Sequence, residues 1–135
     1  MVCIHCGGST HVINSRLQKR NNQIWRRRQC LRCRLVFSTE EAVRYENVWL
    51  VMDTSGNYSP FSSNKLLLSL YRSCEHRLSA LNDAVALSET VIHKLQPKFI
   101  DGRINSQVIA QVSQVALNRF DRAASVHYGA HHSLS

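Results

Sequence analysis

Cys3-Ile4-His5-Cys6 and, after the 23 residues 7–29, Cys30-Leu31-Arg32-Cys33 decide how the first third of this 135-residue chain folds. Each C-x2-C pair closes a tight turn that offers two thiolates to one ion. A two-stranded ribbon between the pairs brings the turns together into a closed tetrahedral site, which suits a single structural Zn2+. Four thiolates can also hold an iron–sulfur cluster, and a single C-x2-C pair can serve redox chemistry. The doubled pair at ribbon spacing favours zinc through Cys3, Cys6, Cys30 and Cys33. His5, inside the first turn, is a rival ligand that reads as exposed. Cys74, far from the others on an apolar helix face, reads as core filling.

Between the pairs, residues 11–17 and 23–29 have the pattern of two short strands, with the polar residues 18–22 turning the chain. A third strand, 35–39, follows the second pair. The stretch Ile24-Trp25-Arg26-Arg27-Arg28-Gln29 runs straight into Cys30. Alternation along a strand puts Arg26 and Arg28 on one face and Trp25 with Arg27 on the other. Arg16 and Lys19, on the neighbouring strand and turn, widen the basic patch. Residues 1–46 carry nine basic and three acidic side chains, so +6 of the net charge of +8 lies in this segment. A rigid, narrow ribbon of guanidiniums fits phosphates and groove edges, and it predicts a nucleic-acid face formed by Arg16, Lys19, Trp25, Arg26, Arg27 and Arg28. Charge by itself does not choose DNA over RNA. A solvated basic surface, or one that meets an acidic protein, is the competing reading.

A segment with so few large apolar residues cannot fold without a staple. The pattern changes near residues 45–48, and the domains are set at 1–46 and 47–135. In the second, residues 48–52 read as a buried strand and 53–57, with Gly56, as a turn. Ser62 or Ser63 caps a helix to about Leu78, with Leu66, Leu67, Leu70, Tyr71 and Cys74 inward. A second helix over 82–95 aligns Val85, Ser88, Val91, Ile92 and Leu95 and stops before Pro97. The turn Asp101-Gly102 leads to a helix capped by Asn105 or Ser106, with Val108, Ile109, Val112, Val115 and Ala116 inward. Asp121 caps a fourth helix to about His131. His127, His131 and His132 read as a solvated group, with metal binding the other option.

A hydrophobic fraction of 44% supports one real core beside the small module. No apolar run approaches the roughly 20 residues that cross a bilayer. The first residues lack the pattern of a secretory signal, so a cytoplasmic location is expected, with thiols reduced and no membrane partner.

The pattern Cys3/Cys6, Asn14-Ser15-Arg16, Ile24-Trp25-Arg26-Arg27-Arg28, Cys30/Cys33 and Val36-Phe37-Ser38-Thr39-Glu40-Glu41 resembles the N-terminal part of the bacterial ribonucleotide-reductase regulator family, NrdR. Further on, Gly56, Pro60-Phe61, Lys65-Leu66, Phe120-Asp121 and Ala124 are similar to the family's nucleotide-sensing ATP-cone. The resemblance implies an α+β chain: a small β zinc ribbon, then a mainly α-helical ATP-cone-like domain with an N-terminal β-hairpin. It further implies promoter DNA as partner, ATP and dATP as effectors, homo-oligomerisation, and repression of ribonucleotide reductase genes. Lys65 matches a phosphate-binding position, although an exposed lysine in a first helical turn is ordinary. The chain departs from the family at Val36, where the pattern has arginine. It departs again at Asp53, where the pattern has lysine, and at Asn57 and Tyr58, where it has arginines. Residues 125–130 also differ from the family's Tyr-x-Arg-Phe-Ala-Ser.

Two functions follow from different classes. One is a nucleotide-controlled repressor. The other is a nucleotide-independent nucleic-acid-binding or accessory protein whose second domain only oligomerises. No Gly-x-Ser-x-Gly, Walker loop or His-Glu-x-x-His is present, so no enzyme is expected.

Overall fold

The computed structural model describes residues 1–132, in two compact units: Met1–Val43, and a second that starts at Arg44. The first is a three-stranded antiparallel sheet of β1 (Thr10–Gln18), β2 (Gln23–Cys30) and β3 (Val36–Glu41), in that order. Asn21 closes the β1–β2 turn by donating from Nδ2 to Gln23 Oε1 at 2.8 Å, and Asn22 takes the left-handed φ of 51°. The register slips between Val12 and Asn14, a bulge at Ile13. β2 runs one residue past the expected 23–29 because Cys30 pairs with Thr10, which carries the ladder into the cysteine turn.

In the second unit, β4 (Leu50–Met52) lies between β5 (Tyr58–Pro60), antiparallel to it, and β6 (Arg103–Asn105), parallel to it. The four helices are α1 (Ser63–Cys74), α2 (Ala80–Leu95), α3 (Ser106–Phe120) and α4 (Arg122–His131). Three of the expected caps form. Ser62 Oγ accepts from the Lys65 N–H at 3.2 Å, Asn105 Oδ1 from the Gln107 N–H at 2.8 Å, and Asp121 Oδ1 from the Ala124 N–H at 3.1 Å. In the β4–β5 turn, Asp53 Oδ1 accepts from the N–H groups of Ser55 at 2.8 Å and Asn57 at 2.9 Å.

The core gathers one face of each helix. Leu70, Leu95 and Leu117 have no exposed surface, and Leu66, Leu87, Val91, Cys74 and Tyr128 pack around them. Cys74 thus fills core volume, as expected. Replacing Leu70 by alanine is expected to lower stability by about 2–5 kcal/mol, read as a shift in the urea midpoint. An aromatic group covers the sheet end: Tyr45 stacks on Trp49 with centroids 4.2 Å apart, and Trp49 on Phe99 at 3.9 Å. This stacking ties Tyr45, Trp49 and Phe99 together within the second unit.

Several elements differ from the sequence expectation. β4 omits Val48 and Trp49, and Val48 is exposed. α1 ends at Cys74, four residues short of Leu78. There Arg77 turns to bind Asp83 (Nε to Oδ2, 2.8 Å) and Asp121 (NH1 to Oδ2, 3.0 Å), tying α1 to the starts of α2 and α4. Val85 and Val115 point outward; the inner faces of α2 and α3 run through Ala84, Leu87 and Val91, and through Ala110, Ser113, Ala116 and Leu117. Ala84, Ala110, Ser113 and Ala116 are buried beside Leu87, Val91 and Leu117, and the two valines lie outside these faces. β6 had no counterpart in the sequence reading.

Asp121 sits at the meeting point of that network. The Ala124 N–H first, then His76 (3.1 Å) and Arg77, hold its carboxyl down at about 2. A folded-state pKa below the unfolded one gives stability that is complete above the unfolded value and lost as pH falls through the folded one. The melting temperature is therefore expected to fall between about pH 4 and pH 2. Asp121→Asn, which keeps the cap, is expected to flatten that limb of a calorimetric pH series.

Among the described residues no helix is long and apolar enough to cross a membrane.

Candidate metal centre and nucleic-acid face

The β1–β2 ladder and the bridge between Val2 and Ser9 bring the two cysteine turns face to face. The Leu31 N–H donates to Ser9 O at 3.0 Å, and the Cys3 N–H to Gly8 O at 2.8 Å. As a result the sulfurs of Cys3, Cys6, Cys30 and Cys33 all lie within 4.8 Å of one another. Cys3 Sγ is 3.6 Å from Cys33 Sγ, and Cys6 Sγ is 3.6 Å from Cys30 Sγ. Tetrahedral zinc with Zn–S bonds of about 2.3 Å needs sulfurs about 3.8 Å apart, so the cage fits one ion. A multi-iron cluster would hold its cysteines wider apart, so the spacing fits a single tetrahedral ion.

The surroundings are those of thiolates. Backbone N–H groups of His5 (3.4 Å) point at Cys3 Sγ, and those of Arg32 (3.3 Å) and Cys33 (3.4 Å) at Cys30 Sγ. The Cys33 N–H, with help from Arg32, draws the Cys30 thiol down to about 6. Cys33 has the Leu35 N–H in its favour, yet local desolvation and the thiols of Cys30, Cys6 and Cys3 beside it push it up to about 12. Sulfurs packed this way cannot all ionise unless a cation lies among them. With four protein ligands the coordination is complete, and bound zinc supplies a cross-link. His5 is exposed and lies outside the sulfur cage.

Sequence reasoning missed Gly8. A Cβ there would lie 3.3 Å from Cys6 Sγ, 3.4 Å from Cys30 Sγ and 3.2 Å from Arg32 Cβ, so the cage closes over a bare backbone. The signal was the Gly7-Gly8 pair after Cys6. Gly7 (φ 69°) and Arg34 (φ 64°) end the two turns in the same left-handed conformation.

The sheet register sorts the basic residues onto two faces. Opposite Trp25 stand Arg16 and Glu40, and opposite Arg27 stand Asn14 and Ser38. Arg16 and Arg27 are exposed, and no ion pair to either forms among the described residues. On the other face Arg26 is ion-paired to Glu41, and Arg28 donates from Nε to Thr39 Oγ1 at 3.3 Å, beside Ile24, Leu17 and Phe37. Lys19 is exposed in the β1–β2 turn.

Lys65 is exposed in the first turn of α1, at the mouth of two cavities of the second unit. A cavity of about 210 Å³ lies beneath the β4–β5 hairpin, walled by Val51, Pro60, Phe61, Leu66, Ile109 and Tyr128. A groove of about 670 Å³ runs between α1 and α4, past Ser69, Arg72, His127 and His131. Lys65, Ser69 and His132 border both. His132 is therefore not part of a solvated tail: its Nε2 meets Ser69 Oγ at 2.8 Å and its ring stacks on Tyr128 at 4.0 Å. Asp53 borders neither cavity; its carboxylate closes the hairpin turn.

Residues 1–41 match the family described as the N-terminal domain of transcriptional repressor NrdR-like proteins. The transcriptional repressor NrdR of Syntrophotalea carbinolica is 33% identical over 129 residues, covering 95% of this chain and 81% of that protein. That of Symbiobacterium thermophilum is 30% identical over 128 residues (95% and 84%), and that of Heliobacterium modesticaldum 31% over 129 (95% and 84%). Similarity of this degree, running through both units and joined to a closed four-cysteine cage, means that the chain belongs to the NrdR family of transcriptional repressors.

Proposed function

We propose that this chain is a zinc-ribbon repressor of ribonucleotide reductase genes. Its ribbon, residues 1–46, binds double-stranded operator DNA. Its second domain, residues 47–135, of which the last three lie outside the described residues, controls homo-oligomer assembly in response to ATP and dATP. The observation that carries the reading is the sulfur cage at the foot of β2, which makes the Arg16, Trp25 and Arg27 face rigid before it meets DNA. A pre-ordered basic face loses little conformational freedom on binding. Lys19 and Arg28 extend the contact, and Lys65 meets a nucleotide phosphate. A nucleotide shifts assembly only through different affinities for the assembled states. The reading assigns the chain no catalysis.

A second reading keeps the DNA contact and drops the nucleotide. It is favoured by the hairpin, which sends no cation into the cavity beneath it and uses Asp53 within its own turn.

The test is fluorescence anisotropy of a labelled reductase-promoter duplex with zinc-loaded protein at fixed salt, beside a scrambled duplex. Each is measured without nucleotide, with ATP and with dATP. Promoter binding tightened by dATP over the scrambled control supports the first reading. Promoter preference indifferent to nucleotide selects the second. Equal binding to both duplexes leaves the ribbon an electrostatic clamp and overturns the assignment to an operator.

A further inference from the structure

His127 and His131 stand four positions apart in α4, so both rings project from the same side of the helix. Their centroids are 4.5 Å apart, and both residues are exposed. His131 Nδ1 lies 2.9 Å from His127 O. A carbonyl oxygen only accepts, so the neutral His131 ring keeps its proton on Nδ1 and its lone pair on Nε2. Metal-ligating histidines are arranged in this way: the second ring nitrogen donates to a carbonyl or carboxylate, which fixes the tautomer and raises the basicity of the ligating one.

The docking of α4 on α1 sets what surrounds the pair. The helices run antiparallel, with His76 meeting Asp121 at one end (3.1 Å) and Ser69 meeting His132 at the other (2.8 Å). Between those contacts, Arg72 and Glu75 of the α1 end border the same groove as the two histidines. The Glu75 carboxylate offsets the Arg72 charge there. His132 stays outside the pair, because Ser69 Oγ takes up its Nε2.

Two imidazole lone pairs on successive helical turns suit Ni2+, Cu2+ or Zn2+; Mg2+ and Ca2+ prefer oxygen ligands. Among the described residues only the four ribbon cysteines bring three or more ligand atoms together. The histidine pair therefore gives two protein ligands and leaves the other coordination positions open, unlike the closed cage.

We propose that His127 and His131 form a second metal site, an open one held by the second unit alone, which takes a divalent transition-metal ion. The site goes beyond the repressor reading and does not rest on it. An ion bound there staples the last turn of α4 and stabilises the second unit by mass action.

Isothermal titration of Ni2+ into the full chain, its ribbon already loaded with zinc, tests the site. An indicator dye follows zinc release, and thermal melts with and without Ni2+ follow the second unit. The wild type is expected to bind a single Ni2+ with its zinc retained and to melt at a higher temperature. His127→Gln and His131→Gln are each expected to weaken Ni2+ by at least about ten-fold, since even an outer partner of a ligand contributes that much. His93→Gln, at an exposed histidine of α2, is expected to leave the affinity unchanged. In the wild type, paramagnetic Cu2+ is expected to broaden the amide signals of residues 127–131 first, a readout that needs no variant. Ni2+ bound equally well by the double variant H127Q/H131Q, bound only as zinc is released, or not bound by the wild type overturns the site. Broadening centred on His5 or His11 does the same.

Discussion

Cys30→Ser is expected to abolish zinc binding and unfold the first unit while the second keeps its own melting transition. Among the described residues of the first unit, the buried hydrophobic side chains are Cys3 and Cys30, both of them in the cage. The sheet faces are otherwise half-exposed or exposed, so no apolar core offsets the chain entropy of ordering about 40 residues. The cross-link does so instead. Structural zinc in small modules contributes on the order of 10 kcal/mol or more at neutral pH, well above what a ribbon of this size gains from its ladder. Serine cannot replace the thiolate, and Cys30, without exposed surface, is the ligand least able to be substituted by water. The readouts are zinc stoichiometry by metal analysis, Trp25 fluorescence, and DNA affinity, which falls with the fold. Chelation of the wild-type chain should reproduce all of them. Retention of full zinc content and DNA affinity by Cys30→Ser would show that the ribbon does not depend on the cage.

The second large effect concerns the two faces of the sheet. Arg27→Gln and Arg16→Gln are each expected to weaken operator binding several-fold and to lower the salt slope by about 0.9 for each phosphate no longer neutralised. The double variant should bind about ten- to a hundred-fold more weakly at physiological salt. Arg26→Gln should cost less affinity, because Glu41 already offsets the Arg26 charge and occupies its NH1 group. Arg28 falls between: Thr39 occupies its Nε–H and leaves the other guanidinium donors available. Anisotropy titrations across a salt series, with melts to remove stability effects, order the four. If Arg26→Gln weakens binding more than Arg27→Gln, the DNA-binding face has been assigned to the wrong side of the sheet.

The β1 and β2 strands, the cage, the helices from Ser63 onward and their caps at Ser62, Asn105 and Asp121 were legible because each rests on short-range chemistry. Two thiolates three residues apart, alternation within a strand, and a side-chain oxygen ahead of an apolar repeat all act within a few residues of chain. β6 was not legible. Three residues carry too little pattern, and its partner β4 lies some fifty residues away in sequence. The inward faces of α2 and α3 were misjudged for a related reason. Periodicity ranks Val85 and Val115 as core, but the buried faces run through Ala84 and Ala110, and which face is covered is a property of the neighbours.

The same division separates the two candidate sites. The amino-acid sequence alone determined the four metal ligands and the placing of Arg26 and Arg27 on opposite faces, because covalent spacing and the two-residue period of a strand leave little freedom. Only the tertiary structure decided which of those arginines is tied to a carboxylate, since Glu41 reaches Arg26 across a strand pair. Tertiary packing likewise put His132 against Ser69, and aligned the α4 histidines with Lys65 and Arg72 along one groove. These groups are more than fifty residues apart in the chain, and only the docking of α4 on α1 makes them neighbours.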